Sequence, residues 1–206
     1  MKILNFGYNN FHGGIPKWVT NFTYLYALDL SNKKFSERMP LHFERLQGFV
    51  KSSNYISFEE EITLHMKRCE YTLTYLSPTN TILDLSNNNL VGQIPASIGT
   101  LTDMRLLNLS RNQLEGLIPA SLSNISTLEQ LDLSKNNLSG QIPQELSKLN
   151  NLALLDVSSN SLCGPIPKGT QFSTFSATSF QRNKCLYGCP LDPCNPKKNS
   201  ERKRQR

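Results

Sequence analysis

Histidine is scarce in this chain, and so are the constellations that catalysis needs. Only His12, His42 and His65 occur, none with a partner at metal or triad spacing. No phosphate-cradling glycine loop, kinase signature or nucleophile elbow is present. An enzyme is therefore not expected, and no cofactor is implied. Long apolar runs are missing too. Residues 1–20 hold none that would make a secretory leader, and no segment is apolar enough to span a membrane. The expectation is a stretch of a longer protein. A basic face for nucleic acid is also lacking. The net charge is +6, but six basic residues against Glu201 place +5 of it after Asn195. The run Glu59, Glu60, Glu61 reads as a solvated loop.

What the chain has is a period. LDLSNNNLVGQIP, LNLSRNQLEGLIP, LDLSKNNLSGQIP and LDVSSNSLCGPIP begin at Leu83, Leu107, Leu131 and Leu155, a repeat of 24 residues without a slip. Self-similarity at this length marks a solenoid, and the template is the leucine-rich repeat. Side chains alternate in a strand, so Leu107 and Leu109 point inward while Leu106, Asn108 and Ser110 face out. Asn88, Asn112, Asn136 and Asn160 recur once per coil, and Asn9 matches them in LNFGYNNFHGGIP. A buried Asn needs partners for its donors and acceptor, which the turn leaving the strand can supply. The predicted fold is an α/β-type solenoid of 24-residue period, with a short parallel β-sheet on the concave face and loops and 3-10 turns elsewhere.

Leu28 opens a weaker coil, LDLSNKKFSERMP, in which Lys33 takes the Asn position and cannot accept a hydrogen bond. The register then fails, since Leu28 and Leu83 are 55 residues apart. Strand-like alternation starts at Ile62, with β-formers clustered from Tyr71 to Tyr75. The organisation expected is two repeats over 1–40, the second degenerate, an interruption over 41–80, four repeats over 81–167, a cysteine-rich cap over 168–194, and a basic, disordered tail over 195–206.

The phrase LxxLxxLxLSxNxLxGxIP resembles the plant-specific leucine-rich repeat of receptor kinases, receptor-like proteins and polygalacturonase inhibitors. For receptor-like proteins the resemblance reaches further. Lys67, Glu70 and Tyr71 match the Lys-Gly...Glu-Tyr phrase of their island, with Arg68 where Gly is usual. Asn183, Leu186, Gly188, Pro190, Leu191 and Cys194 match their closing segment, with Tyr187 in the expected Cys position. The resemblance implies a non-catalytic module of a membrane-anchored cell-surface protein. Its peptide or microbial ligand would be met partly by the island, and a co-receptor kinase of the somatic-embryogenesis type by the coils that follow. Rival readings are a secreted polygalacturonase-inhibitor-like protein, which the interruption counts against, and a non-functional truncated remnant.

Two sets of residues bear on surface and compartment. Asp84, Asn108, Asp132 and Asp156 form a polar row that recurs with the repeat, whereas Arg105, Leu106, Arg111, Glu129, Gln130 and Leu154 vary between coils. That variation, with Lys67 and Tyr71, makes these the candidate binding surface. Sequons at Asn21, Asn108, Asn124 and Asn137, beside clustered cysteines, favour secretion. Cys163, Cys185, Cys189 and Cys194 admit three pairings. The expectation taken is Cys163–Cys185, tying the last coil to the cap, and Cys189–Cys194, leaving Cys69 as the free thiol. No His at finger spacing supports zinc.

Overall fold

In a computed structural model, residues 3–5, 11–50, 62–66, 69–73 and 81–191 are described. The Leu-x-Leu segments make one six-stranded sheet in the order β1 (Ile3–Asn5), β3 (Ala27–Asp29), β7 (Ile82–Asp84), β9 (Leu106–Asn108), β11 (Gln130–Asp132) and β13 (Leu154–Asp156). All pairs are parallel and in repeat register, so Leu4, Leu28, Leu83, Leu107, Leu131 and Leu155 stack in one buried column. This is a leucine-rich repeat solenoid. One apolar core runs its whole length, from Leu4 to Leu186.

A second sheet lies outside the sequence expectation. The Asn-x-Leu-x-Gly-x stretch of each coil pairs with its neighbours as β8 (Val91–Gln93), β10 (Gln113–Leu117), β12 (Asn137–Gly140), β14 (Ser161–Pro165) and β15 (Cys185–Tyr187). β2 (His12–Gly14) and β4 (Lys34–Ser36) pair in the same parallel manner. The repeated Gly permits this packing. At Gly140 φ is +74°, and a Cβ would fall 2.4 Å from the Leu117 side chain of the preceding coil.

Proline turns each coil onto its convex side. Pro16, Pro95, Pro119 and Pro143 directly precede the 3-10 turns Lys17–Asn21, Ala96–Thr100, Ala120–Asn124 and Gln144–Lys148. Its fixed φ suits a turn entrance, and its missing N–H is not needed there. Leu122 and Leu146 point inward from these turns and are fully buried.

Residues 41–50 are a finding in themselves, because the sequence expectation placed them in the interruption. They form 3-10 turns Phe43–Arg45 and Gln47–Phe49, and Phe43, Leu46 and Phe49 enter the common core. Gly48 N donates to Thr23 O, and Asp103 N donates to Phe49 O. This segment therefore stacks as the convex part of the second coil, between the coils before and after it. A departure from the 24-residue phrase hid it. Further on, β5 (Ile62–Met66) and β6 (Cys69–Leu73) pair as an antiparallel hairpin. Asn9, Lys67, Cys194 and the segment 195–206 lie outside the described residues.

The concave face and its comparisons

The Asn positions bind coil to coil. Asn112 Nδ2 donates to Leu85 O, Leu109 O and Ser110 O, and its Oδ1 accepts from Leu90 N at 3.0 Å. Asn88, Asn136 and Asn160 repeat the pattern on Phe35 N, Leu114 N and Leu138 N. Asn183 extends it into the cap, accepting from Leu162 N and donating to Val157 O and Phe180 O. Sequence reasoning placed Asn183 in the closing phrase but not in this series, because it follows Asn160 by 23 residues and not 24. Where Lys33 takes the position, its Nζ is buried without a hydrogen-bond partner, and burial lowers its pKa.

Three of the four residues of the polar row on the strand face are not solvent-facing, which corrects the expectation above, and only Asp156, in the edge strand β13, is half-buried. Asp84 is 1% exposed, Asn108 4% and Asp132 8%. Each accepts from the backbone N–H two residues on, at Ser86, Ser110 and Ser134, and Asp29 and Asp156 do the same with Ser31 and Ser158. These are Asx turns that end the strand. The neighbouring coils, about 4.8 Å away on either side, cover what a lone strand would leave open. Leu106 is buried for the same reason. It packs with Tyr26, Ala27 and Ile82 in a small apolar strip on the concave face, separate from the main core. Sequence reasoning missed those three, although Ala27, Ile82 and Leu106 occupy one column.

What remains open on this face lies toward β11 and β13. In the Leu106↔Gln130↔Leu154 row, Gln130 and Leu154 are half-buried, and Gln130 Oε1 has no hydrogen-bond partner. One residue earlier in their coils, Arg105 and Glu129 form a half-exposed ion pair. The structure thus brings Arg105, Leu106, Glu129, Gln130 and Leu154 together. Arg111 stands apart, exposed at φ +56° in the turn that leaves β9. Tyr71 belongs to β6. Among the described residues no three His, Cys, Asp or Glu side chains gather as a metal site.

The cap is tied to the last coil. Cys163 and Cys185 face each other in β14 and β15 and form a disulfide. Cys189 is also disulfide-bonded. Asn21, Asn124 and Asn137 are exposed, while Asn108 is buried and donates from Nδ2 to Asp84 Oδ2 at 3.1 Å.

Known proteins agree with this architecture. The family model described as Leucine rich repeat matches residues 79–138 and 105–162. Receptor-like protein 33 of Arabidopsis thaliana is 52% identical over 206 residues, covering 94% of this chain and 23% of its own length. The chain spans 12–23% of the length of the curated relatives it matches. The ectodomain of the Arabidopsis receptor kinase GASSHO1/SCHENGEN3, solved with CASPARIAN STRIP INTEGRITY FACTOR 2, superposes with a TM-score of 0.66 at 27% identity. That match covers 95% of this chain and 22% of that one. The Arabidopsis receptor kinase HAESA, solved with the peptide hormone IDA and the co-receptor SERK1, gives a TM-score of 0.53 at 26% identity. It covers 90% of this chain and 30% of that one. Leucine-rich repeat ectodomains of receptor-like proteins are ligand-binding, non-catalytic modules. Repeat phrase, solenoid and relatives together support a leucine-rich repeat chain similar to the plant receptor-like proteins.

Proposed function

We propose that the chain works at the extracellular face of the plant plasma membrane, in immune or developmental signalling, as part of a membrane-anchored receptor-like protein. Its concave face takes a peptide or microbial ligand, and its coils meet a co-receptor kinase of the somatic-embryogenesis type. The observation that carries this reading is the half-open cluster Arg105, Glu129, Gln130 and Leu154, held on a rigid sheet whose other polar positions are closed by their own turns. Support also comes from neighbours solved with CASPARIAN STRIP INTEGRITY FACTOR 2 and, in HAESA, with the peptide hormone IDA and SERK1.

The test is binding of a SERK-type co-receptor ectodomain to the secreted chain, measured by interferometry with plant extracellular peptide fractions. Arg105→Glu together with Leu154→Asp is expected to weaken the ternary association at least about tenfold without lowering thermal stability, as loss of central contacts does at interfaces. Association in the unmutated chain that these changes leave intact would move the contact surface elsewhere, and no association with any fraction would sink the reading.

Secretion has its own readout. After passage through a plant secretory pathway, intact-peptide mass spectrometry is expected to find glycans among Asn21, Asn124 and Asn137, and none at Asn108. A buried amide already committed to Asp84 is closed to the transferase once the coil has formed. Glycan at Asn108 on folded material would contradict the burial of the concave row.

A further inference from the structure

The buried row on the concave face is uniform in position but not in charge. β3 and β7 pair with Asp29 directly opposite Asp84, and strands so paired lie about 4.8 Å apart. Both carboxyls are shut away from water, at 6% and 1% exposure. Asp84 Oδ1 accepts from Ser86 N at 2.9 Å and Oδ2 from Asn108 Nδ2 at 3.1 Å. On the β9 side, then, an amide meets the carboxyl and the contact is a hydrogen bond. On the β3 side the residue opposite is Asp29, and a carboxyl is only an acceptor when ionised. A proton on Asp84 supplies the donor that two ionised carboxyls in register lack.

The surrounding charges decide where it resides. From β3 come Asp29 and, in the turn beyond it, Lys33, whose own pKa is lowered by burial and raised by Asp29. β9 presents only the neutral Asn108, and the next carboxyl of the row, Asp132, lies one strand further on in β11. Burial, with the Asp29 charge adding to it, pushes the Asp84 carboxyl up to about 7, against the pull of its Ser86 and Asn108 donors.

We propose that Asp84 keeps a proton opposite Asp29, making the β3–β7 junction a pH-sensitive joint of the solenoid, tight in acid and loosened toward neutrality. The joint falls where the repeat period breaks, with Leu28 paired to Leu83 across it. It is therefore the seam at which the first coils stack on the later ones. Asp84 has a folded-state pKa above its unfolded value of 3.8, so the folded chain keeps a proton that the unfolded chain releases. Stability from this group is full below about pH 4, falls as pH rises to about 7, and is flat beyond.

The experiment uses the full chain and hydrogen exchange at pH 5 and pH 8, corrected for intrinsic rates. The reporters are the amides that cross the seam, Leu30 N to Asp84 O, Asn32 N to Ser86 O and Ile82 N to Tyr26 O. Their protection should drop at least about tenfold, one decade for each pKa unit of coupling. Leu133 N, bonded to Asp156 O at the β11–β13 pair, should hold its protection. Asp84→Asn, which copies the amide already present at Asn108, should abolish the drop, and Asp132→Asn should not. If Asp84→Asn does not fold, Asp29→Asn supplies the same permanent donor from the other strand and should flatten the profile equally. Seam protection independent of pH in the unmutated chain, or an unchanged drop in a folded Asn variant, overturns the joint.

Discussion

Asn112→Ala is expected to destabilise the chain by about 3 kcal/mol, the upper part of the range for a buried donor or acceptor left unsatisfied. The reason is the number of groups one amide serves. Its Oδ1 is the acceptor for Leu90 N, and its Nδ2 lies within bonding distance of three carbonyls in two coils. Alanine removes all of these from a site that water does not reach. The loss is then that of stranded backbone groups in addition to that of an ordinary bond. Gln113, the next residue, is exposed, so Gln113→Ala should change stability by less than about 0.5 kcal/mol. Denaturant melts of the two variants make the comparison. Equal losses would mean that the turn is held by its backbone bonds alone.

Much of this was legible because the repeat writes the same physics into each coil. Columns of Leu and Asn at 24 residues specify strand and buried amide, and the structure places Leu107 and Asn112 accordingly. What a single coil does not reveal is how its neighbours bury it. Alternation along one strand turns Leu106 and Asn108 outward, but coils on both sides close them to 8% and 4% exposure. The second sheet was hidden for a related reason. A strand with a left-handed Gly at Gly92 or Gly116 has little intrinsic β-pattern, and only stacking makes it a ladder. Residues 41–50 escaped because Phe43, Leu46 and Phe49 fill the core without the repeat's consensus letters. The site was read less completely than the fold. Variation between coils picked out Arg105, Glu129, Gln130 and Leu154, yet gave no hint that Arg105 and Glu129 spend their charges on each other.

At the far end, Phe180→Ala is expected to cost about 3–5 kcal/mol, the range for removing a buried aromatic side chain. Phe180 is fully buried and packs with Phe172, whose ring in turn meets Phe175 edge-on. These rings cover the apolar side of the coil carrying Leu155 and Val157, which has no further repeat to stack on. The same segment supplies backbone acceptors to the edge strand and its turn, since Val157 N donates to Ser179 O and Ser159 N to Gln181 O. Phe180 O also accepts from Asn183 Nδ2, so displacing the ring loosens the last rung of the amide series. A covalent tie runs in parallel, Cys163–Cys185, with a sequence separation of 22. Closing a loop of that length contributes about 3 kcal/mol by restricting the unfolded chain. The two act on different states and can be separated. Cys163→Ser with Cys185→Ser should lower the denaturation midpoint while leaving exchange protection at Val157 N and Ser159 N close to that of the parent. Phe180→Ala should lower the midpoint and strip protection from those two amides, with the disulfide still formed. Protection lost in the serine variant but kept in the alanine variant would show that the bond, and not the aromatic cover, holds the end of the solenoid shut.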